Sequence, residues 1–323
     1  MTDATQSAVL SLAEPRAAPQ VNRTGELVGW AWLAVGSLAV AGLFALLLAL
    51  SRLPGIEKVF PWPLGFFAKG LVIHVVFSLV VWFLTLFALF TALATTKIER
   101  DRLRLGALGP MGQALVMLAF PLLFVPAFFD DSAALLTNYV PLIRHPAYDA
   151  GLVLLALGVL LPVIRLFANL PGRKTALTPL GYAMSSGGVV YLVALASFGA
   201  AFAILARTGN VDTHREYLFW GGGHVLQFLY CALMLTGWAL LARASLGEKA
   251  VDPDIFRLCL VLVAVFALPG PMFYRVFQTF SIKQQDAFRV LQFVLALPTL
   301  MLSVSLLANA LSISRPAKWP WRN

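Results

Sequence analysis

Apolar residues gather in eight long runs, at roughly 26–51, 64–94, 108–128, 148–170, 184–206, 217–242, 254–277 and 287–311. A hydrocarbon layer about 30 Å thick needs about 20 residues of α-helix to cross it, and each run reaches that length. Between the runs, polar and turn-forming residues cluster in short connections. The runs are too long and too uniformly apolar for barrel strands. In a bilayer, only a helix satisfies its own backbone groups within one segment. The pattern therefore predicts an all-α integral membrane protein, an eight-transmembrane-helix bundle over residues 26–311. A polar, Ala/Pro/Ser-rich tail (1–25) is expected to be disordered, and the first run is expected to act as the insertion signal. An interfacial segment (312–323) sets Trp319 and Trp321 among basic residues.

Composition agrees. Of 323 residues, 60% are hydrophobic and 12% charged, about half the usual charged share of a soluble domain. The formal net charge of +9 raises the question of nucleic acid, but no basic face with interleaved aromatics lies outside the spans, so no nucleic-acid partner is expected. Lys and Arg concentrate instead in alternate connections. The richest short one, "KIERDRLRL", holds Lys97, Arg100, Arg102 and Arg104. By the positive-inside rule, a multi-pass protein with both termini on the cytoplasmic side is expected.

Two segments interrupt the regular picture. The connection at 129–147 mixes apolar and polar residues and is expected to lie on the membrane surface. In "ALPGPMFYRVF", Pro269 and Pro271 flank a glycine and should break the outer end of the seventh helix, exposing backbone carbonyls. Pro121, Pro126, Pro162 and Pro298 predict ordinary kinks. Cys231 and Cys259 both fall inside spans and are read as small buried hydrophobes.

Candidate chemistry rests on histidines. His145 and His214 fall in outer connections and are expected to be solvated. His74 and His224 fall within the second and sixth spans, both roughly 10–15 Å from the same end by helix rise. An intramembrane imidazole faces the bundle interior or a cavity; it either donates to a neighbouring carbonyl or ligates a metal or heme. Gly221, Gly222 and Gly223 precede His224 and allow close approach of another helix or of a flat macrocycle.

Taken in order, "KGLVIHVVFSLVVWFL", "TNYVPLIRHPAYDAGLVLLALGV", "LFWGGGHVLQFLY", "DPDIFRLCLVLVAVFALPGPMFYRVF" and "DAFRVLQFVLALPTLMLSVSL" resemble helices two, four, six, seven and eight of heme–copper oxidase subunit I, especially its branch with the divergent B-type proton pathway. The likeness extends over about residues 26–311. It implies the arrangement of that family's helices one to eight, with His74 as an axial ligand of a low-spin, b-type heme and His224 as the helix-six copper ligand. The sequence also departs from the family. Two adjacent helix-seven histidines correspond here to Phe273 and Tyr274, and the helix-six tyrosine corresponds to Phe228; Tyr230 and Tyr274 stand elsewhere. One imidazole cannot replace three nitrogen ligands, so copper is not expected. The family's tenth helix, which gives a histidine to each heme, has no counterpart among the eight runs. Oxygen reduction by this chain alone is therefore not expected.

Three readings follow. The chain is a component of a respiratory or electron-transfer complex in the bacterial inner membrane, working with other membrane subunits and binding heme through His74. Alternatively it is a non-catalytic anchor or assembly subunit that keeps the fold without cofactors. A third reading is a conduit along Gln227, Thr236, Thr299, Ser303, Ser305 and Asn309. No intramembrane carboxylate accompanies those side chains, and Ser, Thr and Asn are common interhelical contacts in membranes.

Overall fold

A computed structural model describes residues 24–59, 62–63, 65–98, 103–136, 140–209 and 214–313. The tail up to residue 23, Arg100, Arg102 and the Trp319 and Trp321 segment lie outside the described residues. Among the described residues, eight helices are long and apolar enough to cross a membrane. They are α1 (Thr24–Leu50), α2 (Phe66–Thr96), α3 (Leu108–Phe128), α4 (Pro146–Asn169), α5 (Pro179–Thr208), α6 (Arg215–Leu246), α7 (Pro253–Val276) and α8 (Ile282–Ile313). They alternate in direction. The core is formed where α2, α5 and α6 meet, with α1, α3 and α4 packed to one side and α7 and α8 to the other.

Helix starts follow their caps. Thr178 accepts the N–H of Gly181 through Oγ1 at 3.0 Å, and Pro179 takes the first helical position, so α5 begins five residues before its apolar run. Ser281 likewise accepts from Gln284 at 3.2 Å and starts α8 ahead of the apolar stretch. His145 caps α4, its Nδ1 accepting the N–H of Ala147 at 3.1 Å, and it is half-buried against the ring of Phe129. His214 is also half-buried and stacks on Tyr217. Neither histidine is simply solvated.

Two local expectations are corrected. The 129–147 connection is not only a surface loop: strands β1 (Ala133–Leu135) and β2 (Leu142–Arg144) form an antiparallel hairpin that buries Val140, Leu142 and Ile143. Tyr148 donates to the Pro141 carbonyl at 3.1 Å, and Lys69 of α2 donates to the Phe129 carbonyl, so the hairpin is tied to two helices. Its end of the bundle is called the hairpin end below. In α7, the Pro-Gly-Pro sequence bends the helix without breaking it open. Only Leu268 leaves the regular pattern, and its φ of −56° and ψ of −34° remain helical. Pro269 sits where a new helical segment needs no N–H donor. Gly270 is buried, and a Cβ there would meet Val225 of α6 at 2.7 Å. The glycine serves close packing.

At the opposite end, α1, α3 and α4 are joined by a buried ion pair. Arg165 of α4, fully buried, holds both carboxylate oxygens of Glu26 on α1 at 2.5 and 2.9 Å. Gly109 of α3 leaves the space: a Cβ there would collide with both partners. Gln113 of α3 donates to the Glu26 carbonyl at 2.9 Å. Further along the same seam, Gly112 and Gly158 let the backbones of α3 and α4 touch. Breaking a buried pair by removing one partner costs about 3–5 kcal/mol, whereas replacing both with apolar groups is far less damaging. Glu26→Gln should therefore lower the apparent Tm in detergent strongly, and the Glu26→Leu/Arg165→Met double variant should recover much of the loss. Thermal unfolding of the three proteins checks this.

Candidate functional site

His74 lies eight residues into α2, about 12 Å from its start. Its Nδ1 is 2.9 Å from the carbonyl oxygen of Ala41 on α1. A carbonyl only accepts, so Nδ1 carries the hydrogen and the lone pair lies on Nε2. Among the described residues, Nε2 has no protein hydrogen-bond partner. The ring is half-buried. It is thus held by one nitrogen against a neighbouring helix and presents the other.

Just beyond His74, residues Val76–Val81 form a π-helical turn inside α2. Such turns are uncommon and are frequent at functional sites. Ser78 explains how the wider turn is tolerated: its hydroxyl donates to the His74 carbonyl at 2.7 Å and to the Val75 carbonyl at 3.2 Å. Neither the π turn nor the partner carbonyl of Ala41 is legible in the sequence, since both depend on how α1 docks.

His224 is at a similar level, nine residues into α6, but its setting differs. It is fully buried, and its Nδ1 donates to the Trp220 carbonyl of its own helix at 2.6 Å. The rings of Trp220 and Phe288 flank it, with centroids at 4.9 and 5.6 Å. Phe273 and Tyr274 of α7 both lean on Phe288 of α8, at 5.1 and 5.8 Å. The space beside His224 is thus filled by aromatic carbon. The described residues contain no group of three His, Cys, Asp or Glu side chains able to share a metal ion.

Gly221 and Gly222, ahead of His224, have packing neighbours. A Cβ on Gly221 would strike Tyr274 and Phe288, and one on Gly222 would strike the ring of Phe198 on α5. Of the two approaches that the sequence allows, neighbouring helices fill the space, through their aromatic side chains. The structure does not bring His74 and His224 into one cluster. His74 contacts α1, while His224 contacts Trp220 and α8. The two helices meet deeper, where Phe83 of α2 stacks on Tyr230 at 4.4 Å.

The polar side chains along α6 and α8 mostly bond locally. Thr236 donates to Ala232, Thr299 to Leu295 and Ser303 to Thr299, each four residues back at 2.7–2.8 Å. Asn309 donates to the Ala250 carbonyl at 3.2 Å. Gln227 is bonded by Gln292, a residue that the polar pattern did not single out. The sequence reading also passed over Glu26 and Arg165, because they sit at span ends where charge is ordinary.

No family model matches the chain. An uncharacterized protein of Aquifex aeolicus (strain VF5) is 30% identical over 214 residues, covering 66% of this chain and 53% of that protein. An uncharacterized protein of Rickettsia prowazekii (strain Madrid E) is 24% identical over 268 residues, covering 74% and 51%. The chain spans about half the length of the curated relatives it matches. Among solved structures, a chain of a heme–copper terminal oxidase dimer superposes with a TM-score of 0.66 over 92% of this chain and 55% of that chain, at 17% identity. The eight-helix arrangement is therefore similar to that of a heme–copper oxidase, and at that identity the likeness speaks for the fold alone.

If packing explains the glycines, Gly222→Val should cost about 1–3 kcal/mol through overpacking against Phe198. His224→Leu, which keeps an apolar filling between Trp220 and Phe288, should cost less. Apparent Tm values of the two variants in one detergent rank them.

Proposed function

We propose that this chain is a membrane subunit of a respiratory or redox complex and that His74 would hold a b-type heme. The observation that carries the reading is the imidazole itself: Nδ1–H is fixed by the Ala41 carbonyl, and the lone pair lies on Nε2 of a half-buried ring. Metal-bound histidines are commonly oriented by a hydrogen bond from the other ring nitrogen to a carbonyl or carboxylate. An imidazole within a span is costly and usually faces the bundle interior, a cavity or a ligand. The fold likeness to a heme–copper terminal oxidase adds support.

In this reading the Ala41 carbonyl sets the tautomer and ring plane of His74, and Ser78 steadies the π turn beneath it. A bound heme would supply one-electron transfer. Other membrane subunits would cover the rest of that face. His224 is read as a remnant of a copper ligand. The donor set around it does not fit copper, because Phe273 and Phe288 offer no lone pair and imidazole is a single ligand. Copper chemistry therefore forms no part of the proposal. We place the chain in a bacterial inner membrane, and the uneven spread of Lys and Arg favours both termini being cytoplasmic, which would put the hairpin end outside.

The test is an absorption spectrum of the purified chain, alone and with its native neighbours, oxidised and reduced. The expected result is a reduced b-type α-band that is lost in His74→Ala, retained in His224→Leu and partly restored to His74→Ala by added imidazole. A colourless preparation in both contexts, or a band indifferent to His74, overturns the reading and leaves the cofactor-free anchor.

A further inference from the structure

A cleft of about 430 Å3 opens in the side of the bundle between α4, α5 and α6, with the middle of α2 as its floor. It is separate from both histidines. Its floor is buried and apolar: Leu84, Leu155 and Leu226 are at most 4% exposed. Its rim is apolar and open, with Val153 and Phe202 more than half exposed. In a chain that spans a bilayer, such an opening faces acyl chains rather than water.

The depth of the cleft can be read along α6. From Arg215 to Leu226, eleven residues of helix rise about 16 Å. That is about half of a hydrocarbon layer roughly 30 Å thick, so the cleft extends from one interface to the middle of the membrane. Its charged groups are confined to the interface end; deeper in the cleft the Tyr191 hydroxyl donates to the Ala156 carbonyl at 2.8 Å. At the interface end Nη1 of Arg215 reaches both carboxylate oxygens of Asp149, at 2.7 and 2.8 Å. The arginine side chain is 13% exposed and the carboxylate 41%. An apolar slot one leaflet deep is thus closed at its top by a neighbouring cation and anion.

We propose that the cleft is a binding site for one aminophospholipid of the hairpin-end leaflet. An acyl chain lies in the slot, the phosphate faces the Arg215 guanidinium and the primary ammonium faces the exposed carboxylate of Asp149. The charge pair selects the headgroup. A zwitterionic headgroup matches both signs, an anionic one meets the Asp149 carboxylate, and a quaternary amine has no N–H to donate to it.

Gly199 gives a clean probe. It lines the cleft, and a Cβ there would meet nothing within 4 Å, so a larger side chain enters the slot without disturbing its helix. Full-length protein in mild detergent is exposed to equimolar dioleoyl phosphatidylethanolamine and dioleoyl phosphatidylglycerol, and retained lipid is counted by native mass spectrometry. The expected result is one retained lipid, with phosphatidylethanolamine favoured about tenfold, as befits one hydrogen bond to a charged group. Gly199→Trp should abolish retention at unchanged Tm, and Asp149→Asn should erase the headgroup preference. Equal retention by Gly199→Trp and wild type, no preference in the wild type, or a tightly held isoprenoid quinone in place of phospholipid would each overturn the assignment.

Discussion

The bilayer offers no water to a polar group, so most polar groups inside the bundle take their partners from the protein, Trp30 Nε1, Thr91 Oγ1 and the Tyr230 hydroxyl being exceptions among the described residues. That constraint explains most of the specific contacts. Thr236, Thr299 and Ser303 turn back on their own helices. Gln292 finds Gln227 across a helix pair. Arg165 and Glu26 neutralise each other where three helices meet, in a space that Gly109 leaves open. His224 satisfies Nδ1 one turn back along α6. His74 differs, because its partner is a carbonyl on another helix and its ring is half-buried, whereas His224 bonds within its own helix and is fully buried.

Much of the fold could be read from the chain before its structure. Eight apolar runs became eight helices because length and hydrophobicity suffice for insertion. Helix starts were less legible: α5 and α8 begin at Thr178 and Ser281, whose capping hydroxyls precede the apolar stretch and carry no hydropathy signal. The hairpin at 133–144 was missed because three-residue strands in a mixed segment have too little periodicity to show. The Pro-Gly-Pro sequence read as a break, yet a proline at the first position of a helical segment forfeits no hydrogen bond, and Gly270 packs against Val225.

For the candidate site, the sequence located the imidazoles and their depth along each helix but not their surroundings. Depth follows from counting residues along a helix of known rise. Orientation does not, since it depends on which helix docks alongside. His224 proved to be walled in by Trp220 and Phe288, and Gly221 and Gly222 before it admit the rings of Phe198, Tyr274 and Phe288. Glu26 and Arg165 were overlooked for the opposite reason. Charges at span ends are common enough to attract no notice, and only the fold shows that this pair is buried.

The wide turn at Val76–Val81 gives α2 a property that a straight helix lacks. A π turn accommodates one residue more than the regular spiral, and one residue corresponds to about 100° of rotation. The half of α2 bearing His74 is thereby offset in azimuth from the half bearing Phe83 and Phe87, which packs against α5 and α6. Excising a single residue from the turn would let the helix close up and swing the imidazole away from Ala41 while the deeper half kept its neighbours. The aim of His74 and the packing of the bundle are therefore separable, and one codon can change the first without touching the second.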